Sequence, residues 1–223
     1  MAGVVGLTPA HLLLREATRD AHEAAEATAG MRLLLAGELD ESGYAGLLQA
    51  QLALFREWET ERHDWLAGLA QWPYVSRASL IEADLCRSRF IGDRRGSEAG
   101  TVVAHRIAAE AAPTIADESA PTGGISLTEG ISPTEAAYWG ELYVIEGSAL
   151  GGRVIVRRLR ELYPQLSHTF YAIGENAPAS WRRFQSLLDH ALPDEASQEA
   201  AVHAAQRMFA RFQQTLKDPA DHD

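Results

Sequence analysis

The stretch "YVIEGSALGGRVI", Tyr143–Ile155, lies inside a long segment of helical apolar period, yet it carries Gly147, Gly151 and Gly152, with Gly140 just upstream. A glycine in a helix interior costs roughly 0.8–1 kcal/mol relative to alanine, so four weaken this helix by roughly 3–4 kcal/mol if the terms add. A helix kept despite that loss must use the missing side chains. Gly147 and Gly151 are one turn apart, and Ser148 and Gly152 form the adjacent row, which makes a strip almost free of side chains. Three readings fit the strip: a close helix–helix contact, a kink, or a flat ligand against bare backbone, whose approach glycine permits.

Working outward, the segment begins at "SPTE", where Ser132 reads as N-cap, Pro133 as first helical residue and Glu135 as the partner in a capping box, and it stops at about Tyr163, before Pro164. Helix signals recur along the chain. "TPAHLLLREATRDAHEAAEATAG" opens with Thr8 as cap and Pro9 at the first helical position and closes at Gly30. The next helix starts at Asp40, with a stripe of Tyr44, Leu47, Leu48, Phe55, Trp58 and Trp65 that reads as core. "SRASLIEADLCRSRF" is a shorter helix, residues 92–97 a turn, 98–112 an alanine-rich helix, and 113–132 the one long loop. Further helices are expected near 165–173, 178–191 and 195–217. The pattern predicts an all-α fold, one domain over 1–223 with roughly eight helices and a disordered tail at 218–223.

The 223 residues are 46% hydrophobic, enough for a packed core, and the net charge of −11 argues against a general nucleic-acid partner. One cysteine, Cys86, permits no intrachain disulfide and points to a reducing, cytoplasmic setting; Cys86 has no motif around it and reads as a small buried hydrophobe. The start lacks a basic segment before its apolar residues, so no secretory signal is expected, and no apolar run approaches a membrane span.

Two segments carry chemistry. In the first helix Arg15, Thr18, His22, Ala25 and Ala29 share one face, and the small residues beside the imidazole leave room for something flat. Glu26, one turn after His22, can reach the ring, as an acceptor behind a metal-ligating histidine does. The plainer alternative is a surface histidine on an alanine-rich helix. The second segment is the glycine strip.

Together the two resemble a known pair. "REATRDAHEAAEA" resembles the proximal helix of haem oxygenases and "YVIEGSALGGRVI" their distal helix, in the same order and roughly 125 residues apart. The likeness is closest to bacterial biliverdin-producing members, including those that supply chromophore to bacterial phytochromes. It implies an all-α bundle with haem between the first helix and a kinked, glycine-rich distal helix. It implies that His22 ligates the haem iron, that Glu26 orients it, and that Arg15 and Tyr143 meet the propionates, with Thr18 on the same face. Arg182 or Arg183 is implied as a further propionate arginine. Gly147, Ser148, Gly151 and Gly152 match the flexible distal segment. The implied reaction converts haem, both substrate and cofactor, to biliverdin, carbon monoxide and ferrous iron. Its electrons come from outside, from a ferredoxin- or flavoprotein-type donor, and a bacterial phytochrome is an implied acceptor of the biliverdin. No membrane partner is implied.

Between Thr134 and Tyr163 there is no His, Met, Cys or Lys, so a haem iron held by His22 and facing this helix would keep its sixth position open, as oxygen chemistry requires. The chain departs from mammalian-type members, which carry aspartate where it has Ser148, and from serine-bearing bacterial members, which follow that serine with asparagine where it has Ala149. Distal water is therefore expected to rest mainly on backbone carbonyls around Gly147 and Gly151, with Ser148 as auxiliary.

His11, His63, His105, His168, His190 and His203 show no metal spacing and read as satisfied histidines. "RVIVRRLR", Arg153 to Arg160, holds four arginines in an acidic chain, a solvated face or a dock for an acidic electron donor. Two rival functions are a non-catalytic haem carrier or sensor using the same pocket, and a thiaminase-like helical enzyme, which would want a nucleophilic cysteine with an activating neighbour.

Overall fold

A computed structural model describes residues 7–96 and 131–217. The expectations for 98–112, His105, most of the loop at 113–132 and the tail at 218–223 lie outside the described residues. Everything regular within them is helical, with no strand among the described residues.

The expected opening helix is three helices: α1 (Ala10–Ala17), α2 (Arg19–Glu26) and α3 (Ala29–Ala36). Threonines mark both breaks. Thr18 sits at φ −112°, ψ 6° and its hydroxyl donates to the Leu14 carbonyl at 2.7 Å; Thr28 is extended and its hydroxyl donates to Ala25 O at 2.9 Å. Hydroxyl side chains that bond nearby backbone compete with the helix ladder. Gly30 is therefore not the stop. It lies within α3, where a Cβ would stand 2.7 Å from the Leu216 carbonyl that its own N–H bonds at 3.0 Å. The stop is Gly37, in the left-handed region at φ +75°. At the other end the cap is Pro9 rather than Thr8, and it offers no side chain. Asp189, 178 residues away, instead accepts from the His11 N–H at 2.9 Å.

The following helices match the sequence more closely. Asp40 caps α4 (Glu41–Glu61) through Gly43 N at 2.7 Å, and Tyr44, Leu47, Leu48, Phe55 and Trp58 form its buried stripe. Trp65 is half-buried on α5 (His63–Gly68). α6 (Arg77–Gly96) runs through the expected turn at "GDRRG", because its interior glycine, Gly92, costs a long helix only about 1 kcal/mol and Gly96 is its last residue. Cys86 is exposed, not buried. Ser132 accepts from Glu135 N at 3.1 Å to start α7 (Pro133–Leu162), an unbroken helix of 30 residues with all four glycines inside it. The helix expected at 165–173 shrinks to α8 (Thr169–Ala172) and a 3-10 turn at Ile173–Asn176; Asp84 of α6 caps α8, accepting from Thr169 N and Phe170 N, both at 2.9 Å. The expected last two helices are α9 (Ala177–Ala191) and α10 (Glu195–Thr215).

The core forms where α7 lies along α10, with Phe55, Trp58, Leu142, Ile145 and Phe184 fully buried around them. Gly140 makes that contact possible: a Cβ there would stand 2.0 Å from the Ala201 carbonyl of α10. None of the described helices is long and apolar enough to cross a membrane.

His168 is buried between Tyr44, whose hydroxyl meets Nδ1 at 3.1 Å, and the Tyr163 carbonyl, 3.0 Å from Nε2. Burial holds its pKa below the ordinary value, against the opposing bond to Tyr163 O. The unfolded chain then binds a proton before the folded one as pH falls, so stability present above pH ~6.5 is lost from there down through the folded pKa. Thermal melts from pH 5 to 8 should show this fall, and His168→Gln should flatten it; equal slopes for both would remove His168 from the account.

Candidate functional site

α1, α2 and α3 face α7 across a cavity of about 680 Å³, with α9 and α10 completing the wall. Nine of the expected residues line it together: Arg15, Thr18, His22, Glu26, Tyr143, Gly147, Ser148, Gly151 and Gly152.

His22 sits on α2, half-exposed, with its ring edge-on to Phe209 at 5.7 Å and 77°. Its Nε2 lies 3.8 Å from the Glu26 carboxylate, a contact longer than a hydrogen bond. On the facing side Tyr143 is buried. Burial pushes its phenol pKa up, while the nearby Thr18 hydroxyl and the positive charge of Arg15 pull it back. Arg15, Thr18 and Tyr143 therefore form one cluster joining α1, the α1–α2 break and α7.

The glycines divide by task. Gly140 and Gly152 are packing glycines: Cβ atoms there would meet backbone carbonyls, Ala201 O at 2.0 Å and Tyr171 O at 2.7 Å. Gly147 and Gly151 face space. A Cβ at Gly147 would touch only the Trp181 ring, at 3.5 Å, and one at Gly151 would meet nothing within 4 Å. The strip thus bears out the close-contact reading on one row and leaves a bare wall on the other. Ser148 donates its hydroxyl to the Ile145 carbonyl at 2.7 Å, so its proton is already engaged within the helix.

Neither arginine expected from α9 reaches the cavity. Arg182 is exposed, and Arg183 donates to the Gln71 carbonyl at 2.8 Å and borders a smaller neighbouring cavity of about 220 Å³. The helix turns Trp181 and Gln185, one turn apart, toward the main cavity instead. Of the arginine run, Arg158 pairs with Glu161 and Arg160 with Glu175, while Arg153 and Arg157 are exposed and have no ion-pair partner among the described residues.

The lining also includes residues that reading the sequence missed. His11 and Arg19 lie one turn either side of Arg15, and the helical period that selected Arg15 could have found them. Gln51 of α4, Arg77 of α6 and Phe209 and Phe212 of α10 come from distant segments with no local signal. Met31 lines the cavity from α3, a helix that the sequence did not separate from the first. The result is an apolar, aromatic space whose lining includes Arg15 and Arg19 in a chain of net charge −11, a lining able to take a flat apolar ligand that carries carboxylates.

Comparison with known proteins agrees with this chemistry. The family model described as "Heme oxygenase" matches residues 9–218. The chain is 34% identical over 190 residues to "Heme oxygenase" of Xanthomonas campestris pv. campestris (strain 8004), a match that covers 83% of this chain and 96% of that protein.

Proposed function

The chain belongs to the haem oxygenase family, and from that premise we propose that it opens haem to biliverdin, carbon monoxide and ferrous iron with electrons from an external donor. The observation that carries the proposal is the cavity between His22 and the bare wall at Gly147 and Gly151. The residues fit the substrate: one imidazole for iron, aromatic and backbone walls for a flat ring, and arginine for carboxylates. Incubation with haem, reductant and oxygen, followed by chromatography of the pigment, tests it. Biliverdin is the expected product; intact haem after turnover conditions would identify a carrier instead.

Bound haem supplies the iron that activates dioxygen and the porphyrin that is cleaved, which leaves the protein positioning, exclusion and proton supply. His22 holds the iron through its imidazole. Gly147 and Gly151 present no side chain toward the cavity that could compete for iron. Backbone carbonyls along this wall anchor water, and Ser148, whose proton is held by Ile145 O, assists only as an acceptor. Ser148→Ala is therefore expected to slow ring opening by less than about tenfold, ~1.4 kcal/mol on the barrier, in single-turnover spectroscopy. A variant that keeps haem and makes no biliverdin would make the hydroxyl the essential anchor.

Arg15 and Tyr143 orient the propionates. Loss of either lets haem seat in more than one in-plane rotation, so Arg15→Ala and Tyr143→Phe should give mixed biliverdin isomers with a modest loss of affinity. A single unchanged isomer from both would count against this role. The donor is a ferredoxin- or flavoprotein-type carrier, for which Arg153 and Arg157, without an ion-pair partner among the described residues, offer positive charge.

A further inference from the structure

We propose that His11, braced by Asp189, is a direct contact for a carboxylate of the bound tetrapyrrole and takes the place expected of an α9 arginine. The proposal rests on the reading above, in which the propionates lie toward Arg15 and Tyr143. His11 lies one helical turn before Arg15 and lines the same cavity, so the two side chains share the face of α1 that meets the ligand. Asp189 grips this histidine three ways: its carboxylate oxygens stand 2.8 and 2.7 Å from Nδ1, and Oδ1 accepts from the His11 backbone N–H at 2.9 Å.

That grip has two consequences. It fixes the ring, because backbone and Nδ1 are held by one carboxylate from another helix, so little side-chain freedom remains to be lost on binding. It also assigns the nitrogens. Nδ1 carries a proton toward Asp189, and Nε2 has no hydrogen-bond partner among the described residues. Nε2 is therefore the nitrogen left to meet a ligand carboxylate, and it does so as a donor when it bears a proton. Asp189 itself is not part of the cavity lining, so its negative charge is spent on His11 rather than presented to the ligand. The α9 arginines give no comparable contact, since Arg183 is bonded to Gln71 O on another cavity and Arg182 is exposed.

A purely structural tether would matter equally for any ligand of this shape, whereas a carboxylate contact matters only when the carboxylate is present. The test is equilibrium titration of the full chain with haem and with haem dimethyl ester, whose propionates are masked. His11→Ala should weaken haem about tenfold or more, as expected for a lost charge-assisted hydrogen bond, and change ester binding much less. His11→Gln, which keeps a side-chain donor, should fall between wild type and alanine for haem, and serves alone if the alanine variant does not fold. Equal weakening of both ligands, or of neither, overturns the contact. Arg15→Ala in the same assay separates the two levels of the reading. Discrimination by Arg15→Ala without discrimination by either His11 variant sinks the His11 proposal alone. Equal binding of haem and ester by the wild type and by every variant removes the propionate anchoring on which it rests.

Discussion

Replacing His22 with alanine is expected to abolish the iron–imidazole spectrum of the haem complex and to lower turnover at least about a hundredfold. The estimate follows because losing even an outer partner of a metal ligand costs about 10–100-fold. The geometry makes the effect specific. The ring lines the cavity against Phe209, and the edge-on contact at 5.7 Å orients the imidazole plane. Alanine leaves a space of that shape, so added imidazole should restore part of the spectrum. Glu26→Gln should do far less. At 3.8 Å, with both side chains more than half exposed, the pair is screened by water and contributes little. An unchanged absorption spectrum in His22→Ala would end the assignment of this residue to iron.

The second large effect separates glycines that look alike in sequence. Gly140→Ala places a methyl group 2.0 Å from the Ala201 carbonyl, a backbone atom that cannot turn aside, so α7 and α10 must part along the central contact of the core. A loss of about 3 kcal/mol, the upper part of the usual overpacking range, is expected in denaturant melts. Gly152→Ala, with Tyr171 O at 2.7 Å, should follow in the same direction with a smaller loss. Gly151→Ala should do the opposite. Its methyl group meets nothing within 4 Å, so the apo protein should gain up to about 1 kcal/mol from helix propensity alone. The effect there falls on the ligand: Gly151→Leu should leave the helices intact by circular dichroism and impair haem binding. Normal haem affinity and turnover in Gly151→Leu would show that the bare wall serves something other than haem.

This division among glycines shows where the sequence stopped being informative. The strip from Gly147 to Gly152 announced that side chains were unwelcome on one face, but helical spacing cannot say what occupies the space. A carbonyl of α8 and an open cavity both select glycine. The opening segment shows a different limit. Its apolar period runs across Thr18 and Thr28, so periodicity joined what local hydrogen bonding divides. The threonines were visible, yet their preference for bonding nearby carbonyls is weak enough that packing decides the outcome.

Local pattern was enough to show that the chain is helical, to place the helices at 133–162 and 195–215 and the start of the one at 41–61, and to join His22 and the glycine strip in one family pattern; it missed the break at Arg62 that puts Trp65 on a separate helix. Those features are written in short-range terms: period, caps at Asp40 and Ser132, and residue type at fixed spacing. Tertiary structure alone decided which α9 side chains face the cavity. The register of a helix about its axis is set by the partners it buries, here Phe184 and Leu188 in the core, and that burial turns Trp181 and Gln185 inward while leaving Arg182 and Arg183 outside. It also decided the pairing of His11 with Asp189 across 178 residues, because a contact between distant helices depends on how both have docked and leaves no local mark in either segment.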